Sequence, residues 1–276
     1  MIDGRTERRD ARRLEDVPER RGGLAAGRRL ARKAGARLLP PAVVLAALLA
    51  AWHVVVVHYD VPAVVLPSPI EVGATLAETY PTLLSDAAVT AATAGIGLFA
   101  GTVVGAGLAF AMLGSRRAAS TLLPYVVALR IAPVIAIAPL LFLWFGRGIP
   151  ARSLVVTTLT VFPITIATLD GLRGTPESYL DLARTVDASP TAAFVRVRVP
   201  AAAPSVFAGL KIAATLSVIG AIVAEFVTLN AGLGYRVFET AAYLRTAETY
   251  AALVVLSTLG IAFYLVPVGL ERALWH

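Results

Sequence analysis

The chain has 276 residues, of which 57% are hydrophobic and 16% are charged, with a formal net charge of +7 and no cysteine. Soluble domains carry about 25% charged residues, so this composition excludes an ordinary water-soluble domain. The lack of cysteine excludes disulfides and thiolate metal sites. Several apolar runs reach the roughly 20 residues that a helix needs to cross about 30 Å of hydrocarbon. We therefore predict an all-α polytopic membrane protein.

The N-terminal segment, residues 1–37, holds most of the excess positive charge. It contains 12 Lys/Arg residues against 6 Asp/Glu residues, with few large apolar side chains. We predict a disordered or loosely helical cytoplasmic tail that helps to set the membrane topology. Binding of this tail to anionic lipid headgroups is the alternative.

Six apolar segments of the remaining chain are predicted to be membrane spans. The first is longer than the roughly 7–15 apolar residues of a signal peptide, so we interpret it as a retained helix. Segments on one side of the predicted membrane hold 20 Lys/Arg residues against four on the other, with Arg130 assigned to neither. The positive-inside rule then predicts that both termini lie in the cytoplasm. The membrane is predicted to be the plasma membrane of the cell. The predicted spans are residues 38–57, 87–113, 122–145, 153–169, 201–229 and 249–270.

The segment between the first two spans is predicted to lie outside the cell, since it has acidic residues but no Lys or Arg. Ser68 or Pro69 can start a short helix over 70–79. In the second span, Gly97, Gly101 and Gly105 recur every four residues, which lets two membrane helices approach closely. We expect tight packing within one chain, with a dimer seam as the alternative.

The third apolar stretch contains Arg130, Pro133 and Pro139. A charge at mid-membrane is costly, so we expect an interfacial helix that enters the lipid near Ile131. The two prolines interrupt backbone hydrogen bonding, which is tolerated beside other helices or along a water-filled path. They are candidates for lining a translocation path, with simple packing as the alternative. A short outer turn over 146–152 is predicted to follow.

The fifth span carries two charged residues. Lys211 lies near its predicted cytoplasmic start, where a long side chain can reach the interface. Glu225 lies deeper, and a carboxylate inside the membrane is a functional candidate by default. A packing or interfacial role is the alternative for Glu225.

The cytoplasmic loop Tyr179–Pro200 reads YLDLARTVDASPTAAFVRVRVP and is the longest polar segment after the tail. Leu180 and Ala183 recur at helical spacing, while Asp181 and Arg184 lie three apart on the polar side. We predict a short amphipathic helix, a turn over 188–190, and a second basic helix or arm that ends at Pro200.

The spacing in this loop resembles a motif of the inner-membrane subunits of binding-protein-dependent ABC importers, which is E-A-A, three residues, G, nine residues, I-x-L-P. Residues 181–183 take the first place, Asp187 the glycine place and residues 197–200 the last. Asp187 is the main departure, because glycine permits a positive φ at a sharp turn and aspartate tolerates it less well. The runs LPSPIEV, ALRIAPVIAIAPLLFLWFG, IGAIVAEF and GLGY resemble the nitrate/sulfonate/taurine branch of this family.

The resemblance implies a type I, MetI-like permease fold over residues 38–272, with an ATPase-coupling loop over 173–200. It implies two permeases, usually as a homodimer, two cytoplasmic ATPase subunits and an extracytoplasmic solute-binding protein. It reinforces the candidacy of Glu225, beside Pro133 and Pro139, for the translocation path. The residues to which it gives an ATPase-coupling role are Tyr179, Asp181, Ala183, Arg184, Asp187 and Pro200.

The sequence lacks the motifs of a nucleotide-binding or hydrolytic enzyme. No G-x-x-x-x-G-K-[ST], H-E-x-x-H or G-x-S-x-G occurs, and neither Lys33 nor Lys211 follows a glycine. We predict a permease without cofactor or metal whose ATPase is a separate subunit. The solute would be small and polar or anionic: a sulfonate, taurine, nitrate, or a pyrimidine or flavin precursor. An ATP-independent carrier or channel is the alternative, but the internal repeat and paired intramembrane charges that it predicts are missing from the sequence.

Overall fold

The computed structural model describes residues 22–275, with side chains from Leu39 to Leu274. These residues fall into two units that divide after Asp60. In the first, helix α1 (Gly22–His58) is continuous across residue 38, where the sequence predicts that the tail gives way to the first span. Residues 1–21 of the predicted tail lie outside the described residues.

The second unit consists of helices and turns in the part that the structure describes. Its core is α5, which packs against both α2 and α8. The long helices α2, α5, α8 and α10 are joined by shorter ones at their ends. The helices are α2 (Pro69–Gly114), α3 (Arg116–Ile131), α4 (Val134–Phe145), α5 (Ile149–Arg173), α6 (Glu177–Thr185), α7 (Pro190–Ala193), a π-helix (Phe194–Arg198), α8 (Val199–Thr228), α9 (Leu233–Ala242) and α10 (Thr246–Trp275).

Five of the described helices are long and apolar enough to cross a membrane, and there are six if the bent pair α3–α4 counts as one span. The prediction of an all-helical protein with several spans is confirmed at this level. The five segments are Leu39–His58, Pro69–Gly114, Ile149–Arg173, Pro190–Thr228 and Thr246–Leu274.

Helix α2 differs from its prediction, because the short helix over 70–79 and the span over 87–113 form one helix of 46 residues. The predicted start is confirmed: the Ser68 hydroxyl accepts from the Glu71 N–H at 3.2 Å, and the Glu71 carboxylate accepts from the Ser68 N–H at 2.7 Å. Pro81 removes one backbone donor but does not end the helix. At 1.5 Å per residue, α2 is about 69 Å long and exceeds the roughly 30 Å of a hydrocarbon core.

The third predicted span is not one straight helix. Helices α3 and α4 meet at 96° across a two-residue break. Pro133 disfavours a helical conformation at the residue before it, and Ala132 is accordingly extended, with φ −55° and ψ 133°. The Arg130 guanidinium lies over the Phe162 ring, 4.9 Å from its centroid, so this charge has an aromatic partner.

The glycine repeat of α2 packs against α5 of the same chain, as expected. A Cβ added to Gly97 or Gly101 would overlap Val156 or Thr160, respectively. Without those Cβ atoms the helices approach closely enough for the Ser153 hydroxyl to donate to the Thr93 carbonyl across the seam, at 3.1 Å. The glycines therefore serve packing within the chain, and the alternative of a dimer seam along them is wrong.

Two further boundaries are corrected. Arg152 does not lie in an outer turn but in the first turn of α5, where its side chain is buried. Pro200 does not end the second basic helix, because it lies in the first turn of α8. The π-helix joins α7 to α8, so the chain is helical without a break from Pro190 to Thr228.

Candidate functional site

The predicted coupling loop forms a compact segment between α5 and α8. Its start is tied to α2, because the Arg173 side chain donates to the Met112 carbonyl at 3.2 Å, near the end of that helix. Helix α6 then begins after Pro176, which favours an extended conformation ahead of the helix. The loop therefore leaves the helical bundle at a fixed point.

Helix α6 has one buried residue and an exposed apolar face. Ala183 is buried, as its small side chain allows. Tyr179, Leu182 and Val186 lie three and four residues apart, hence on one face, and are 56%, 65% and 70% exposed. The resemblance gave a coupling role to Tyr179 but not to Leu182 or Val186, although their spacing was visible in the sequence.

The predicted polar side of α6 is present as an exposed ion pair. An Arg184 guanidinium nitrogen lies 2.7 Å from an Asp181 carboxylate oxygen, and both side chains are mostly exposed. Exposed pairs of this kind contribute about 0–1 kcal/mol, so this one adds little to the stability of the helix. It fixes the direction of two charges beside the apolar face.

Asp187 occupies the left-handed conformation that the glycine of the motif permits. Its φ is +50°. The Ala188 N–H donates to the Ala183 carbonyl and the Asp187 N–H to the Arg184 carbonyl, both at 3.0 Å. These two bonds form a Schellman motif, which satisfies carbonyls at the end of a helix. Asp187 therefore differs from the glycine of the motif in its side chain but adopts the backbone conformation that glycine permits.

The chain after Asp187 folds back beside α6. The Ser189 hydroxyl accepts from the Ala192 N–H at 3.2 Å and starts α7. A cavity of about 400 Å³ separates α6 from the α7–π-helix segment, and Arg184 and Arg198 are among its lining residues. Phe194 of the π-helix meets Phe110 of α2 edge to face, with centroids 6.1 Å apart. Pro200, beyond this cavity, is half-buried.

The two predicted path prolines lie on the surface of this chain. Pro133 precedes α4 and Pro139 lies within it, and both are exposed. Pro139 lines a groove of about 270 Å³ together with Phe142, Arg147 and Val227. The structure does not bring either proline to Glu225, which lines none of the cavities described above.

Glu225 is completely buried near the end of α8. Its Oε2 accepts from the Thr90 hydroxyl at 3.0 Å and from the Gly234 N–H at 2.8 Å. The same Thr90 hydroxyl accepts from the Leu233 N–H at 2.8 Å. The carboxylate thus contacts α2 and the first turn of α9, and its predicted role on a path stays a prediction.

Arg152 completes this cluster from α5. Arg152 is 3% exposed, and its guanidinium donates to the Ala231 carbonyl at 2.9 Å. Position 232 requires glycine, since its φ is +106° and an added Cβ would overlap the Glu225 carboxylate. We call Thr90, Arg152, Glu225 and the segment 229–234 the α8–α9 corner. The sequence showed the run GLGY and the buried carboxylate separately, but nothing in it indicated that they touch.

Comparisons with known proteins concern the chain as a whole. The family model for the binding-protein-dependent transport system inner membrane component matches residues 97–275. A probable ABC transporter permease protein of Haemophilus influenzae is 36% identical over 87% of this chain and 98% of its own. The formylaminopyrimidine transport permease protein ThiX of Halalkalibacterium halodurans is 37% identical over 76% of this chain and 84% of its own.

A putative aliphatic sulfonates transport permease protein of Bacillus subtilis is 28% identical, over 81% of this chain and 80% of its own. Among solved structures, the chain resembles one described as an amino acid ABC transporter with histidines. The TM-score is 0.59 at 17% identity, over 71% of this chain and 96% of the other. At that identity, the likeness concerns the fold alone.

Proposed function

Because this chain belongs to the family of inner membrane components of binding-protein-dependent transport systems, it is the permease subunit of an ABC importer, and we propose that α6 docks on the ATPase subunit. It is a multi-pass inner-membrane protein, and ATP hydrolysis belongs to a separate subunit. A solute-binding protein is the other partner that this family requires.

The observation that carries the proposal is the exposed apolar face of α6. Tyr179 and Leu182 of this nine-residue helix are each more than half exposed, and so is Val186, the residue that caps its end. An isolated helix of that length is marginal in water, so its order depends on its caps and its contacts. The Schellman motif at Asp187 and the buried Ala183 supply both. A preformed apolar face is suited to a groove in a partner, because little ordering cost remains at docking.

The cavity beside α6 supports the same partner. Arg184 and Arg198 give it positive charge, and their guanidinium groups suit an acidic side chain of the docked subunit. Charges at the rim of an interface chiefly set orientation and association rate, while the buried apolar contacts supply the affinity. We assign the apolar face to binding and the Asp181–Arg184 pair to orientation.

In the proposed assembly both termini are cytoplasmic, α3 and α4 together form one of six spans, and two copies of the chain enclose the path. The concentration of Lys and Arg on one side of the spans supports this topology. Pro133 and Pro139 are proposed to line the path, which their exposure on the single chain supports. The proposed solute is small and polar or anionic. Its support is the named solutes of the relatives, which are formylaminopyrimidine, aliphatic sulfonates and nitrate.

The docking proposal is tested by co-purification. Leu182→Asp places a charge on the apolar face, and we expect the tagged permease to lose most of its ATPase subunit in detergent. Val64→Asp is the matched control, since Val64 is also apolar and 56% exposed but lies far along the chain from α6. Full retention of the ATPase by Leu182→Asp would contradict the proposal. ATP-independent solute flux by the chain alone in liposomes would instead favour a carrier.

A further inference from the structure

We propose that Arg152 and Glu225 are positioning residues that join α8 to α9 as a rigid corner, so that a movement of α9 is passed through α8 to the predicted ATPase-coupling loop, residues 173–200, called the coupling segment below. This inference rests on the proposed function. It assigns Glu225 a mechanical role, through the α8–α9 corner, in the coupling of the solute-binding protein to ATP hydrolysis.

The first argument is that Glu225 and Thr90 together serve as a cap for α9. The first N–H groups of a helix have no partner within it. Here the Leu233 N–H donates to Thr90 and the Gly234 N–H donates to Glu225, both at 2.8 Å. A carboxylate is also favoured at this end by the helix dipole. The start of α9 is thereby held by α8, which precedes it in the chain, and by α2, which is distant in the sequence.

The second argument is that the cluster is poorly suited to stability alone. Glu225 Oε1 and Arg152 Nε are buried without a hydrogen-bond partner. Moving an ionisable side chain from water into a protein interior is costly, and more so when its polar atoms lack partners. A cluster that buries two such side chains and leaves a polar atom of each unpaired therefore suits a role in fixing geometry.

The third argument is mechanical continuity. The chain is helical without a break from Pro190, in the coupling segment, to Thr228, three residues beyond Glu225. Only residues 229–232 separate α8 from α9, and Arg152 holds the Ala231 carbonyl within that turn. A second tie joins Arg236 of α9 to Asp86 of α2 at 2.8 Å. A force on α9 therefore reaches α8 through the corner and not through a flexible loop.

The test is the ATPase rate of the permease–ATPase complex in liposomes, with and without its solute-binding protein. We expect Glu225→Gln and Thr90→Val to lower the ratio of stimulated to basal rate by about tenfold, the factor that corresponds to roughly 1.4 kcal/mol. Thr90→Ser keeps the hydroxyl and is expected to restore the ratio. The matched control is Thr165→Val, since Thr165 is equally buried but bonds only within its own helix, to Val161.

A distance measurement tests the corner independently of ATP hydrolysis. The chain has no cysteine, so Ile219→Cys on α8 and Ala242→Cys at the end of α9 give a specific spin-label pair. Labelled chains are diluted with unlabelled ones to suppress distances between copies. We expect one narrow distance distribution in the otherwise unchanged chain and a broad one in Glu225→Gln.

The outcomes separate the two proposals. An unchanged ATPase ratio in Glu225→Gln and Thr90→Val, or a narrow distribution in Glu225→Gln, would overturn the corner. An otherwise unchanged chain that binds no ATPase would overturn the proposed function, while the distance measurement would still decide whether the corner is rigid.

Discussion

The backbone conformation of Asp187 gives the sharpest prediction about the coupling segment. Asp187, at the glycine place of the motif, has a φ of +50°. This position therefore requires a left-handed backbone conformation, which aspartate adopts here in place of glycine. We expect Asp187→Gly and Asp187→Asn to retain ATPase stimulation by the solute-binding protein, because both residues tolerate this conformation. Asp187→Val is expected to lose most of it, since a β-branched residue there is a conformational outlier.

The magnitude follows from the Schellman motif. A left-handed conformation costs an ordinary residue roughly 1–2 kcal/mol. This cost reduces the fraction of molecules in which the Schellman motif at the end of α6 is formed by a factor of about 5–30. Two hydrogen bonds of 3.0 Å, from the Asp187 and Ala188 N–H groups, are lost when the motif opens. Hydrogen exchange at the Ala188 amide should therefore speed up in Asp187→Val and stay slow in Asp187→Gly.

Asp187→Lys is expected to uncouple ATP hydrolysis from transport while the protein stays in the membrane, but this variant changes both the conformation and the charge. The comparison of glycine, asparagine and valine separates the two causes. If Asp187→Gly and Asp187→Asn lose stimulation as fully as Asp187→Val, the carboxylate itself contacts the ATPase and the conformational reasoning is refuted. Normal stimulation in Asp187→Val would refute it equally.

Two further predictions concern packing of the helices. Gly101→Leu should abolish accumulation of folded protein, because even a Cβ at this site overlaps Thr160, whereas Gly107→Leu should be tolerated, since the space around Gly107 is open; fluorescence-detected size exclusion measures both. Lys211 and Glu271 pair at 2.5 Å with about a quarter of each side chain exposed, so Lys211→Met should cost about 1 kcal/mol of stability, and exchanging the two residues should restore the melting temperature.

The sequence was sufficient where a local rule decides the structure. The capping box at Ser68 starts α2 as predicted, and the four-residue spacing of Gly97 and Gly101 indicated the close helix contact that the structure contains. The loop sequence predicted a short helix where α6 lies, and the motif spacing drew attention to Asp187. In each case, the information lies within a few residues along the chain, where spacing and conformational preference act directly.

Sequence reasoning failed where a proline has opposite effects in different surroundings. Pro81 lies inside a long helix, while Pro133 coincides with a 96° bend. A proline always removes one donor, but neighbouring helices decide whether the helix continues. The α8–α9 corner was beyond prediction for a related reason: Thr90 is 135 residues from Glu225, and no periodicity links them.

The corner also changes how a charge inside the membrane is interpreted. Such a charge is usually a candidate for contact with the transported solute, because its burial is otherwise too costly. Glu225 meets this cost with hydrogen bonds from Thr90 and the Gly234 N–H, both within one chain and away from the described cavities. The hydrogen bonds of Glu225 are strong because the carboxylate is excluded from solvent. The same contacts in water would be weaker and would exchange with solvent. A buried charge can serve transport by fixing the direction in which helices move, without contact with the solute.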